Sequence, residues 1–198
     1  MQLDRDGYHD VPNDKLVSVV TYLEMSAPPT AGPAERPEFA LRRVDRPDLG
    51  WYRDLYGRVG LEWLWVSRLN APDRLLRDEL DDPLVEVYAL SIDGRDEGLA
   101  ELDRRRSPEV EIVYFGLTAA MIGKGAGSWL MARTLQEAWR YGTRRVWLHT
   151  CTLDHPNAID FYRRMGFRPY KRAVEIVPDP RVKGDISRDV APHFPPLA

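Results

Sequence analysis

A chain of 198 residues with 43% hydrophobic content and six tryptophans is long enough for one substantial core and excludes a disordered polypeptide. Its net charge is −3 with both signs interspersed, so no basic surface is demanded and nucleic acid is not an expected partner. Cys151 is the only cysteine, which rules out an intrachain disulfide and fits a reducing compartment. The first nine residues are polar and charged, without the apolar segment of a signal peptide, and no stretch is long enough to span a bilayer. The expectation is a soluble, cytoplasmic protein with no membrane partner. Arginine runs at 104–106, 144–145 and 163–164 fit solvated faces, any one of which could meet a cofactor phosphate.

Residues 15–25 are rich in β-branched side chains, and Val17, Val19, Thr21 and Leu23 alternate onto one face, which predicts a strand. Residues 26–37, loaded with proline, alanine and glycine, follow as an extended connector. Residues 1–37 therefore form an extension that adds an edge strand, too small for a core of its own. A short strand at 39–44 precedes a helix over 48–59, where Leu49, Tyr52, Leu55, Tyr56 and Val59 recur at helical spacing. Trp63 and Trp65 cluster ahead of Arg68, and residues 73–80 predict a short helix. Strands at 85–92 and 97–104 are joined through Asp93-Gly94, a strong hairpin signal.

The strand predicted at 110–117 runs into Ile122-Gly123-Lys124-Gly125-Ala126-Gly127. Residues 128–141 then line Leu130, Met131, Thr134, Leu135, Ala138 and Trp139 along one helical face, with Gly142 as the stop. A strand at 145–151 and a helix at 157–165, opened by Pro156 and closed by Gly166, come next. Residues 167–177 supply one bent strand or two short ones forming a terminal hairpin, and the tail from Pro178 should wrap the surface irregularly. The organisation expected is an extension at 1–37, a main domain at 38–177 and a tail at 178–198. The class is α/β, a mixed central sheet flanked by helices.

The glycine turn carries the first functional signal. A helix N-terminus leaves unpaired N–H groups and a partial positive charge, and glycines let the backbone approach an anion without an intervening Cβ. A P-loop would need Ser or Thr after Gly-Lys, but Gly125 follows Lys124. The dinucleotide fingerprint GxGxxG does not fit a turn that reads GxGxG.

What remains resembles the GCN5-related N-acetyltransferase (GNAT) family, whose acetyl-CoA signature is Arg or Gln, two residues, Gly, one residue, Gly or Ala. Gly125 and Gly127 fall on the small positions, and Ile122 stands where the family carries Arg or Gln. The segment Glu111-Ile112-Val113-Tyr114-Phe115-Gly116-Leu117 resembles the strand that precedes this turn. Asn157-Ala158, Phe161-Tyr162 and Gly166-Phe167 fit the later signature at matching spacing. The resemblance covers roughly residues 39–177 and implies acetyl-CoA as co-substrate and direct attack of an amine on the thioester; no metal is expected, since no second cysteine pair is present and the spacing of His149 and Cys151 is not that of a zinc site. It also implies that strands 110–117 and 145–151 splay apart around the pantetheine arm. The cofactor would be held at Phe115, Leu117, Ile122, Gly123, Lys124, Gly125, Ala126, Gly127, Ser128 and Asn157.

On this resemblance Tyr162 is the general acid for the departing thiolate, against the plainer alternative of a core aromatic. Glu111 occupies a position where some members carry the general base, and a water chain is the alternative. Trp63, Trp65 and Arg68 fall in the variable helical segment over the acceptor, and His149 is placed to line that pocket. A Cys151–His149 acyl-enzyme is the rival chemistry, although a small buried cysteine is the plainer reading. The leading expectation is an N-acetyltransferase acting on a small-molecule or peptide amine. A non-catalytic acyl-CoA sensor and an O-acyltransferase stay open. An edge strand or the proline-rich tail offers a surface for a homodimer that nothing in the sequence requires.

Overall fold

The structure, a computed structural model, describes residues 6–30 and 32–197. The first five residues of the expected extension lie outside them. In chain order the elements are β1 (Lys15–Met25), β2 (Ala40–Arg43), α1 (Leu49–Gly60), α2 (Ser67–Asn70), α3 (Asp73–Leu80), β3 (Val85–Ile92) and β4 (Arg95–Asp103). They continue with β5 (Glu109–Leu117), α4 (Ala126–Ala138), β6 (Arg145–Cys151), α5 (Ala158–Arg164), β7 (Arg168–Pro178) and α6 (Pro180–Lys183).

Local chemistry accounts for the boundaries. Asp48 caps α1 by accepting the Trp51 N–H at 3.0 Å, which satisfies a donor the helix cannot. The β3–β4 hairpin turns on Asp93 (φ 50°) and Gly94 (φ 78°), the left-handed pair a tight two-residue turn requires.

The seven strands form one mixed sheet in the order β2-β3-β4-β5-β6-β1-β7, antiparallel throughout except for the parallel pair β5–β6. Helices α4 and α5 cover one face, where Leu23, Leu90, Leu102, Ile112, Leu130 and Leu148 are buried together. Helices α1 and α3 cover the other, over Tyr52, Leu55, Leu76, Val87 and Leu99. Each fully buried leucine contributes roughly 1.5–3 kcal/mol, so the two clusters hold the layers together.

The N-terminal strand is not at an edge. β1 lies between β6 and β7, pairing Val20 with Cys151 on one side and Lys15 through Glu24 with β7 on the other. It fills the slot that the second arm of a terminal hairpin would have taken, and residues 168–178 form a single strand. Its burial follows from that position. Leu16, Ser18 and Val20 are covered in the first half of the strand, Thr21, Leu23 and Met25 in the second, while Val19 is exposed. The expected single apolar face therefore switches sides midway, because different layers cover the two halves.

The tail is also more ordered than expected. Leu16, Leu64, Leu153 and Ala191 form a third buried cluster, with Val177, Ile186, Val190 and Phe194 against it. At its centre Arg181, 1% exposed, donates to both Asp179 carboxylate oxygens and to the carbonyls of Val190, Ala191 and Phe194. A buried guanidinium needs its donors satisfied, and the tail curls around it to do so.

Candidate active site

Strands β5 and β6 pair over only four positions, from Glu109–Arg145 to Ile112–Leu148. Val113 is then an extra residue against β4, which pairs Leu102 with Ile112 and Glu101 with Tyr114. This bulge bends β5 where it leaves β6. A cavity of about 470 Å³ opens there, lined by Phe115, Gly116 and Leu117 of β5, His149 and Thr150 of β6, the glycine turn, and Tyr162 of α5.

Gly123 (φ 80°) and Gly125 (φ 77°) adopt left-handed conformations that a side chain would strain. Gly125 is the N-cap of α4 and makes no side-chain cap, so the first amides of a 13-residue helix are left without helical acceptors. The turn thus presents N–H groups and the positive end of a helix dipole at the cavity.

Of the residues expected to hold the cofactor, Phe115, Leu117, Ile122, Gly123, Gly125, Gly127, Ser128 and Asn157 line this cavity. Lys124 and Ala126 do not. Ala126 is fully buried, and the Lys124 carbonyl accepts Arg36 Nη2 at 3.3 Å. Ile122 lines the cavity with an apolar side chain 49% exposed. Asn157 makes no side-chain cap to α5, which leaves its amide available to the cavity. Arg164, from one of the arginine runs, also lines it, whereas Arg104 is buried and pairs with Glu86 while donating to the Glu137 and Ala138 carbonyls at the end of α4.

Tyr162 lines the same cavity, its ring packed among Phe115, Phe161 and Phe167. Burial, and then the Asp154 carboxylate, push its phenol well above the usual range, so it stays protonated.

A second cavity of about 380 Å³ adjoins the first. Tyr56, Trp63, Trp65 and Tyr114 supply aromatic walls, Cys151 lies within it, and Glu175, Lys183 and Asp185 supply charge at exposed positions. Trp63, Trp65, Val113, His149 and Asp154 line both cavities. Trp65 is held by its Nε1–H donating to Asp154 Oδ1 at 2.9 Å. The Thr150 hydroxyl and the Cys151 N–H donate to Oδ2 of the same carboxylate, fixing the chain where β6 ends.

Two further expected site residues sit elsewhere. Arg68 lines neither cavity. It points inward and pairs with fully buried Glu101 at 2.6 Å, because a carboxylate beneath α1 needs a cation and the Tyr52 hydroxyl alone does not neutralise it. Glu111 also lines neither cavity. Its side chain is 17% exposed and faces His149 Nδ1 at 3.5 Å.

His149 is 43% exposed on the side-chain scale, its ring against Tyr22 of β1 at 5.6 Å between centroids. The Glu111 carboxylate raises its imidazole above the ordinary value, against the opposing effect of burial. For Cys151, burial and the Asp154 charge raise the thiol, which disfavours the thiolate an acyl-enzyme would need. Among the described residues no group of three His, Cys, Asp or Glu is placed to hold a metal ion, and no helix is long and apolar enough to cross a membrane.

Sequence reasoning missed Arg36 and Tyr22, which reach the site from distant parts of the chain, and the hydrogen bonds that gather on Asp154.

With this geometry the sequence model of the acetyltransferase (GNAT) family matches residues 42–167, well over half of the chain. The chain belongs to the GNAT acetyltransferase family. The mixed sheet flanked by helices recurs in solved GNAT structures. A GCN5-related N-acetyltransferase from Kribbella flavida is 17% identical at a TM-score of 0.55, with 84% of this chain and 60% of that one covered. An aminoglycoside acetyltransferase from an uncultured soil metagenomic sample, in complex with sisomicin, is 17% identical at 0.54, over 66% and 88%. A functionally unknown conserved protein from Staphylococcus epidermidis is 14% identical at 0.56, over 82% and 62%. At these identities the likeness is one of fold, and the chain spans less than two thirds of the Kribbella and Staphylococcus proteins. A search of curated protein sequences finds no match.

Proposed function

We propose that the protein moves an acetyl group from acetyl-CoA to a primary amine of a small molecule or peptide by direct attack on the thioester. The observation that carries this reading is the meeting of two cavities at the parted strands β5 and β6, one with a glycine turn and one with aromatic and charged walls. Bound acetyl-CoA would supply an activated acyl carbon there. The residues present fit it: Gly123, Gly125, Gly127 and the first amides of α4 would hold the pyrophosphate, and backbone groups of residues 115–117 on the side facing β6 would hold the pantetheine arm.

What the chain itself contributes is alignment of two reactants, removal of water between aromatic walls, and proton transfer. Tyr162, kept neutral by burial, would donate its proton to the departing sulfur. The amine would enter through the second cavity, where Trp63, Trp65 and Tyr114 favour a cation and Glu175 adds negative charge beside the Lys183–Asp185 ion pair. Sisomicin, bound to one fold neighbour, is a fitting first probe.

Calorimetry and thermal shift with acetyl-CoA test cofactor binding, and free-thiol release across an amine panel tests transfer. Absence of heat and of a shift at millimolar acetyl-CoA would overturn the reading. Acetyl-CoA binding with no thiol released for any amine or alcohol would favour a sensor module, the reading that Ile122 supports. Product analysis distinguishes an amide from the ester an O-acyltransferase would make.

A further inference from the structure

We infer that His149 is the group that takes the proton from the acceptor ammonium, with Glu111 as the residue that positions it. The inference rests on the acetyltransfer reading and assigns a step that reading leaves open.

The argument starts from where the reactants must meet. An amine entering one cavity and a thioester lying in the other can touch only along their common wall, and of the residues in that wall only His149 and Asp154 can exchange a proton. Asp154 is already committed. Its two oxygens accept from the Trp65 indole, the Thr150 hydroxyl and the Cys151 amide, three donors that occupy most of its lone pairs. Glu111, the position expected to carry the base, reaches neither cavity.

His149 has the opposite properties. Its Nδ1 faces Glu111 Oε1 at 3.5 Å, and Tyr22 packs against the ring from β1, so two neighbouring strands hold the imidazole. With Nδ1 directed at Glu111, Nε2 is the nitrogen left for the acceptor. A carboxylate behind Nδ1 sets the tautomer that leaves Nε2 unprotonated and stabilises the imidazolium once the proton arrives.

The charges facing this ring come from three elements: Glu111 of β5, Asp154 after β6 and Glu175 of β7, all acidic. Trp63 and Trp65 share both cavities with it and carry no charge, His155 lines the first cavity, Lys183 and Asp185 line the second, and Lys171 lies over Tyr22 at 4.7 Å.

The step balances. The ammonium gives one proton to Nε2, and the freed nitrogen bonds to the acyl carbon as the carbon–sulfur bond breaks. The sulfur leaves with the electron pair and takes the Tyr162 proton. The second proton of the new amide nitrogen returns to Tyr162, and His149 releases its own to solvent.

The test measures kcat/KM against pH, with acetyl-CoA and with sisomicin or spermidine as acceptor, for the wild type, H149Q and E111Q. Because His149 must be neutral to act, the wild-type rate should rise with pH through the raised imidazole value. H149Q should lose that limb and about 100-fold in kcat/KM while still binding acetyl-CoA in calorimetry. E111Q should keep the limb but move it to lower pH, and the His149 resonance should titrate lower by NMR, a readout independent of turnover. An unchanged limb in H149Q, or loss of the limb in E111Q with normal His149 titration, overturns the assignment and leaves acetyltransfer standing. A wild type that releases no thiol with any acceptor overturns both.

Discussion

Arg36, in the connector after β1, donates from Nη2 to the carbonyl oxygen of Lys124 in the glycine turn, 88 residues away, at 3.3 Å. The same guanidinium pairs with Glu38 at 2.5 Å and lies over the Phe39 ring. It brings a cation to a turn whose first position is the apolar Ile122.

Arg36→Ala should therefore weaken acetyl-CoA binding, with little change in turnover at saturating cofactor. The side chain is over a third exposed, so the loss should be modest, about 1 kcal/mol or roughly fivefold in Kd. Calorimetry at two salt concentrations checks it, since an electrostatic contribution shrinks as salt rises.

Tyr162→Phe removes the proton donor and keeps the packed ring. The expected result is a fall in kcat of about 100-fold with acetyl-CoA affinity and melting temperature near wild type. A stopped-flow measurement of thiol release at saturating substrates decides it, and a wild-type rate would return Tyr162 to the core.

Gly60→Ala tests the shared wall. A Cβ at this position would lie 2.3 Å from the Trp65 ring, so the indole must move and its bond to Asp154 must stretch. Overpacking of this kind should destabilise by about 1–3 kcal/mol, read by urea denaturation. The Michaelis constant for the amine should rise more than that for acetyl-CoA.

Arg68→Met strands the buried Glu101 carboxylate with only the Tyr52 hydroxyl. Removing one partner of a buried pair should destabilise by about 3–5 kcal/mol at neutral pH. The pH dependence follows in sign. Burial already holds Glu101 above its ordinary value despite Arg68, and losing the cation raises it further. The folded state then binds the proton more tightly than the unfolded chain, so stability falls as pH rises from the ordinary carboxylate value through the raised one. Denaturation at several pH values should show the gap between Arg68→Met and wild type narrowing as the pH is lowered.

The parts of this protein legible in its sequence are those whose signals are local. The Asp93-Gly94 hairpin, α3, β6 and the strand, glycine turn and helix around Gly125 are each encoded by neighbours a few residues apart, because periodicity and turn chemistry act over that range. The spacing of Asn157, Tyr162 and Gly166 likewise sits within one short helix and its ends, and Asn157 and Tyr162 line the first cavity.

Tertiary structure alone decided which distant groups meet. The alternation in residues 15–25 specifies a strand but not its neighbours, and either hydrogen-bonding edge can be taken by any strand of matching register, so β1 entered the sheet between β6 and β7. Arg68 was drawn inward by a carboxylate 33 residues away in the chain. By itself the sequence determined the glycine turn and the elements on either side of it. Placing Arg36 beside that turn, and His149 where the two cavities join, took packing between segments whose contacts leave no periodicity to read.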